Sequence, residues 1–501
     1  MSDMEKYRVM PTEQTGSGFL PDDKTTPIID DIVIGDPLPI DPSRSANEHA
    51  VRFYKLSYRG GHRYKFGCDA DGKKVLVEHE QESQAGIDRR RRMSSFYNYC
   101  QPVVDWYIST VFTRPIQRDF SDELYAQFMI NCDQMQTSLE EQLQVAMTEA
   151  MISGEHYLVV DSTLEEEVQT QAQAEAAGAN LFVTGFDYTN IKATRHINNK
   201  LTECLIRISD TEARLYDYDY IYLITLKDGK VISIAEPFEH EYGTIPIVEV
   251  ICNNNHNSFI SDLSEANKTH FNINSILMEE LSRQTWTQWI GLGLEPSELK
   301  ALTAGGRKIY CVDKDAKGIK FEQLSGDTTQ ADSLRKSLQE TVDEIYRAAG
   351  ISRPDTQNKG PESGRALIVR ASEVARKARQ IADFAEKAER QLANIWAGGM
   401  DKEIPVEVNY PEEFHLEAMD EELARTLQIV GANLPSVLKR EEVRTLGKHI
   451  LQNSMEQYSE METELETMYA PETQESPDGQ RGMNNARRNQ AGNQAGNQDR
   501  E

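Results

Sequence analysis

Apolar residues recur every three or four positions through most of the second half of the chain, and strict alternation with polar residues is confined to the first half. The longest helical pattern begins after residue 364. Leu367, Ala371, Val374, Ala378, Ile381, Ala385, Ala388, Leu392 and Ile395 follow one another at steps of four and three, a seam of about four heptads. A helix over 365–396 would be roughly 50 Å long, and the alanines in its seam call for close approach of a neighbour, from this chain or from another subunit. Further helices are predicted at 331–349 and 258–285, the latter with Leu263, Ala266, Ile273, Leu277 and Leu281 in line. His270 shares that stripe and reads as a tolerated, partly buried residue. In the first half, Phe96, Val103, Val104, Tyr107 and Val111 have helical spacing, broken by Pro102 and ended by Pro115. A second helix carries Leu139, Leu143, Val145, Ala146 and Ala150, with Gly154 as its stop.

The β-prone runs are shorter. HYLVVD and ANLFVTGFDY predict two strands, separated by a polar insertion in which Thr163 and Glu166 form a capping box. Residues 203–252 read as a meander with Asp228-Gly229 as a hairpin turn. Within it Tyr216, Tyr218, Tyr220 and Tyr222 alternate and should share one strand face, more for sheet packing than for base stacking. A compact α/β interlude at 286–328 offers the strands RKIYCVD and KFEQL, and 402–416 offers one more strand. Residues 418–469 suit acidic helices. The ends are different: 1–45 is a proline-rich extended arm suited to packing on a neighbour, and 471–501 is a polar tail with little to bury. The fold class is therefore α+β and mainly helical.

Charge narrows the function. With 82 acidic against 54 basic residues and a net charge of −28, the chain cannot be a general nucleic-acid coat, which needs a basic face. Any DNA contact must be local. The arginines at 89–92 read as a solvated helix face. Arg365, Arg370, Arg376, Lys377 and Arg379 face a single acid, Glu373, and Arg353 and Lys359 stand just before them. Pro354, Pro361, Gly360 and Gly364 interrupt the helices there, and a loop without apolar anchors must face water.

Catalytic and metal patterns are not found. The six cysteines are scattered, which signals neither zinc nor a disulfide framework and fits a reducing cytoplasm. The ten histidines show no ligand spacing. Asp69/Asp71 and Asp313/Asp315 match calcium loops only in their first positions and read as β-turns. No phosphate loop, dinucleotide fingerprint, metalloprotease or nucleophile-elbow motif occurs, so no cofactor is called for and an enzyme is the least supported reading. No apolar run approaches the roughly 18 residues of a membrane helix, and no leader is apparent.

The order of the pieces resembles the portal, or head-tail connector, proteins of tailed double-stranded DNA bacteriophages. EYGTIPIVEVICNNNHNSFISDLSEANKTHFNINSILMEEL at 241–281 looks like that family's Gly-x-Ile-Pro-Ile-Val strand followed by an asparagine, a Ser-Asp segment and a long helix. Glu362-Ser363-Gly364-Arg365-Ala366-Leu367 is similar to its Ser-Gly-x-Ala-Leu signature, and NYCQPVVDWYISTVFTRPI and ISGEHYLVVD are similar to its wing helix and first strand. The likeness spans about residues 85–450. It implies a portal fold: an N-terminal arm at 1–45, a wing at 46–256, stem helices at 257–285 and 329–350, and a clip at 286–328. A tunnel loop at 351–363, a long wing helix and strand at 364–414, a helical crown at 415–470 and a disordered tail at 471–501 would follow. It further implies a dodecameric ring at one capsid vertex of the virion, assembled in the host cytoplasm without a membrane, with double-stranded DNA passing through it. Its partners would be the large terminase, the major capsid and scaffolding proteins, and head-completion adaptor or tail proteins. Arg353, Lys359 and Arg365 would line the channel, and Gly305, Gly306, Arg307 and Lys308 would dock the terminase. The alternative is a helical scaffold or adaptor that assembles through the 367–395 seam.

Overall fold

The computed structural model describes residues 26–120, 122–162, 181–240, 242–285, 288–292, 309–312, 320–324, 328–351, 364–404 and 406–411, with short helical pieces at 438–440, 443–444, 461 and 463–465. The chain divides into two compact units, 1–415 and 416–501. Where it is described, the second unit is helical, as its acidic amphipathic sequence predicts. The proposed capping box at Thr163 and Glu166 and the tail after 470 lie outside the described residues.

The core of the first unit is built on two of its sheets. One is three-stranded and antiparallel, in the order β10 (Ile247–Ile251), β2 (Glu155–Ser162), β3 (Leu181–Asp187). The other runs β4 (Ile191–Ile197), β5 (Lys200–Arg207), β6 (Glu212–Tyr216), β7 (Tyr220–Lys227), β8 (Lys230–Ile234), with β9 (Phe238–Glu239) paired to β7. Alternation sorts their side chains into layers. Tyr157, Val159 and Ile247 meet Cys204, Ile206 and Tyr216 between the sheets. Leu158, Val160, Val248 and Val250 point the other way, into the main core. Leu205, Ala213 and Leu215, on the far face of the larger sheet, are covered by Ile28, Ile32 and Leu38. From Ile28 onward the N-terminal arm packs on its own chain. Ile28 N–H donates to Glu203 at 2.6 Å, and Asp41 N–H to the Lys192 carbonyl at 2.9 Å.

Helices fill the other side of the small sheet. They are α1 (Pro42–Arg59), α2 (Gln84–Met93), α3 (Cys100–Phe112), α4 (Glu123–Ile130) and α5 (Leu139–Ser153). Pro42 occupies the first turn of α1, where a missing N–H costs nothing. The same logic corrects the reading of Pro102. It sits in the first turn of α3 and starts that helix instead of breaking it, while Phe96 falls in the non-helical stretch before it. Ser138 and Glu141 form the capping box that opens α5, and Gly154 at φ 96° ends it. Val145, placed on the apolar stripe from sequence, is 54% exposed.

Three later helices complete the unit: α6 (Ser261–Thr285), α7 (Thr328–Ala349) and the 36-residue α8 (Gly364–Gly399). α6 and α7 pack against one another. Between them in sequence lies a three-stranded sheet in the order β12 (Ile309–Val312), β11 (Gln288–Leu292), β13 (Lys320–Leu324). β12 and β13 are the two strands read from sequence, and β11 is the one that reading missed. The seam of α8 from Val374 to Ile395 is buried against α3, α5, β2 and β10 of the same chain. Between Val374 and Ile395, the seam through which the scaffold reading would assemble is thus occupied within the chain. After α8, β14 (Val406–Asn409) pairs with β1 (Gln117–Phe120).

Two further expectations change. The tyrosine row is cut by a turn at 217–219, where Asp217 Oδ1 accepts the N–H groups of Asp219 and Tyr220 at 2.8 and 2.5 Å. Tyr216 on β6 is therefore buried while Tyr220 on β7 is exposed. The arginines at 89–92 are not simply a solvated face. Arg90 is 5% exposed and bonds Glu82, Ser275 and the Val77 carbonyl, tying α2 to α6.

Candidate functional site

Of the residues expected to meet DNA, Arg353 and Lys359 lie outside the described residues, and Arg365 falls in the first turn of α8. Gly305, Gly306, Arg307 and Lys308 likewise lie outside them, in the connection between β11 and β12. What is described is the anchor from which the 352–363 segment departs. α7 ends at Gly350, φ 77°, with Gly350 N–H donating to the Arg347 carbonyl and Ile351 N–H to the Tyr346 carbonyl, both at 3.0 Å. Tyr107 OH donates to the Ala349 carbonyl at 2.7 Å, and Lys377 Nζ sits 3.3 and 3.4 Å from the carbonyls of Ala348 and Ala349. A cation at a helix C-terminus is favourably placed. Of the basic residues on α8, Lys377 is thus committed to holding α7, while Arg376 and Arg379 are exposed.

A second constellation, unforeseen from sequence, lies where α1, both sheets and the loop before α6 meet. A cavity of about 800 Å³ opens there, lined by Arg44, Glu155, Tyr188, His196, Glu249 and His256 among others. Period-two alternation puts Glu155 on the same face of β2 as Tyr157, and Glu249 on the same face of β10 as Ile247. Tyr157 OH lies 3.0 Å from Glu155 Oε2 and 2.9 Å from Glu249 Oε1, and accepts from Arg44 Nη2 at 2.6 Å. Arg44 also pairs with Glu155 Oε1 at 2.6 Å. His196 Nε2 meets Glu249 Oε2 at 3.0 Å, and His256 Nδ1 lies 3.4 Å from Glu155 Oε2 and 3.6 Å from Glu249 Oε1.

The loop that carries His256 is tightly made. Asn253 Oδ1 accepts from the N–H groups of Asn255 and Asn257, and its Nδ2 donates to the Asn257 carbonyl at 2.7 Å. His256 itself has φ 53°. A Cβ at Gly154 would lie 2.2 Å from the His256 carbonyl oxygen, so only glycine lets this loop close onto the end of α5. Burial alone would push the Glu249 carboxyl up, but the bond from His196 and the charges of both histidines hold it down at about 2. Burial opposes the charged form of His256, and the two carboxylates beside it outweigh that and raise its pKa. The arrangement is a partly enclosed set of anionic and imidazole donors beside a fixed guanidinium.

No family model matches the chain, and no curated protein matches it. Among solved structures it is similar to a chain of the virion of a native gene transfer agent particle, at 10% identity over 76% of this chain and 95% of that one, with a TM-score of 0.38. It is also similar to chains from the necks of such particles. One, from the neck of the native particle computed with C12 symmetry, is 11% identical over 68% of this chain and 87% of that one, TM-score 0.37. Another, from the empty particle's neck computed with C6 symmetry, is 9% identical over 66% and 85%, TM-score 0.34. Similarity at this level decides nothing about function by itself. The resemblance to portal proteins is carried by the chain's own motifs.

A signal for the buried cluster was present in the sequence. Glu155 opens the apolar run HYLVVD, and Glu249 interrupts IPIVEVI at an inward-facing position. A charge at the buried phase of a strand needs a partner. What the sequence could not supply was the partner's identity, because Arg44, His196 and His256 come from three other elements.

Proposed function

We propose that this chain is the subunit of a portal ring, a channel at one capsid vertex through which double-stranded DNA enters and leaves the head. The observation that carries this reading is the run of elements from Ser261 to Gly399. Two long helices packed together bracket a small three-stranded sheet, and a polar segment then leads into a 36-residue helix buried in the α/β core. That is the order the signature motifs call for. On this reading 257–285 and 329–350 are the stem, 286–328 the clip, 351–363 the tunnel loop, 46–256 with 364–414 the wing and 415–470 the crown. Twelve copies would close the ring, with the large terminase and then head-completion proteins docking at Gly305, Gly306, Arg307 and Lys308.

Charge supports the same role. A net charge of −28 keeps DNA from adhering to a channel it must traverse, and a few basic side chains suffice as transient contacts. Arg353, Lys359 and Arg365 would supply them as rings of positive charge around the loop. Such contacts to phosphates are independent of base sequence and weaken with salt. Lys359→Glu should leave the oligomer unchanged by light scattering and lower the amount of DNA packaged or retained. Normal packaging and retention of full-length DNA by that variant would remove the loop from the DNA path.

A further inference from the structure

We propose that Glu155 Oε2, Glu249 Oε1 and His256 Nδ1 bind one divalent transition-metal cation of the zinc class, leaving a fourth position open to the adjoining cavity. This does not depend on the portal reading. These residues each offer one donor atom, and the three atoms all lie within 4.8 Å of one another. Zinc bonds of about 2.0–2.2 Å to nitrogen and carboxylate oxygen put the edges of a tetrahedron at about 3.3–3.6 Å. His256 Nδ1 stands 3.4 Å from Glu155 Oε2 and 3.6 Å from Glu249 Oε1. The two edges at His256 thus already match a tetrahedral site, and the third, between the carboxylate oxygens, lies within 4.8 Å. Two carboxylates and one imidazole form a borderline donor set that favours zinc-like ions over magnesium, which prefers oxygen alone and keeps its waters.

The surroundings add an observation independent of those three donors. Arg44 is 9% exposed, lines the same cavity, and its Nη1 has no hydrogen-bond partner among the described residues. A buried guanidinium N–H without an acceptor is costly. An anionic fourth ligand on the metal, such as hydroxide or a carboxylate, would satisfy it. The other two carboxylate oxygens are engaged, Glu155 Oε1 by Arg44 and Glu249 Oε2 by His196, and Tyr157 OH lies 3.0 and 2.9 Å from the two proposed donor oxygens, so it is a neighbour that a bound ion must share them with. Such outer partners orient ligating groups. With both histidines neutral the cluster carries two carboxylates against one guanidinium, a residual negative charge that draws a cation, and an anionic fourth ligand would balance the second charge of a divalent ion. Bound there, the ion would fasten the loop 253–257, and with it the start of α6, to both β2 and β10.

The test is metal retention by the full-length protein. After incubation with zinc and gel filtration, wild type should keep one zinc per chain by elemental analysis. His256→Gln and Glu249→Gln, with unchanged circular dichroism and elution, should each bind zinc at least about tenfold more weakly, the size that even an outer-shell partner commands. Cobalt titration of the wild-type protein needs no variant and should give the intense visible bands of a four-coordinate ion with nitrogen and oxygen ligands. No retained zinc, retention unaltered in both folded variants, or only the weak bands of six-coordinate cobalt would overturn the proposal.

Discussion

At the scale of single residues, the buried polar groups do most to define this molecule. Glu389 on α8 is fully buried and is held by Arg118 Nε at 2.6 Å and by Tyr410 OH at 2.8 Å, which fixes α8 to the β1–β14 pair. On α6, Asn267 accepts from Tyr99 N–H at 2.9 Å and donates to the Tyr97 carbonyl at 3.0 Å, replacing the backbone partners that the irregular 94–99 stretch lacks. His270, one turn on, is packed edge-on against the rings of Tyr97 and Tyr99, and its Nδ1 has no hydrogen-bond partner among the described residues. Burial lowers its pKa from 6.5 to about 4. The unfolded chain therefore takes up this proton first, so the stability from neutral His270 is complete above pH 6.5 and is lost as pH falls towards about 4. Replacing His270 by Phe should flatten the fall in stability across that window by up to about 1.4 kcal/mol per pH unit. Urea unfolding at several pH values reads this directly, and parallel curves for variant and wild type would contradict it. The sequence showed His270 on the apolar stripe of α6 and suggested partial burial. Its tyrosine neighbours, which account for the full burial, are more than 160 residues away and no local pattern points to them.

At the scale of elements, regular periodicity was the reliable guide and proximity in sequence the unreliable one. α8 was legible from its seam, α5 from its apolar stripe, and β2, β12 and β13 from their short apolar runs. α1 was missed, since its amphipathic stripe is short and polar and its first turn is marked only by Asp41-Pro42. β10 was read into the meander that precedes it, yet it pairs with β2 nearly a hundred residues earlier, through Glu249↔Tyr157 and its neighbours. The alanines of the α8 seam have a clear physical role. Ala378 and Ala385 are fully buried where α8 crosses the helices and small sheet of the core, and a larger side chain there has no room. Ala385→Leu should destabilise the protein by about 1–3 kcal/mol through overpacking, seen as a lower denaturation midpoint. An unchanged midpoint would mean that the seam is loosely packed and that the close-approach argument fails.

At the scale of the whole molecule, the first unit joins an α/β core to a pair of packed long helices with a small sheet between them in sequence. On the proposed portal reading, the chain's net charge of −28 suits a channel that must not bind DNA along its length. On that same reading, these features would share a purpose in a closed ring. Heterologous contacts between identical subunits bury the same surface on every copy, and cyclic closure leaves no free end to polymerise. The candidate channel residues Arg353, Lys359 and Arg365 stood out in the sequence only as a local reversal of charge. The most direct measurement is electron microscopy of the purified full-length protein. The account predicts closed rings with a central hole, about twelve subunits around the axis, and a narrower projecting end formed by residues 286–328. Particles that are uniformly monomers or dimers at micromolar concentration would contradict it.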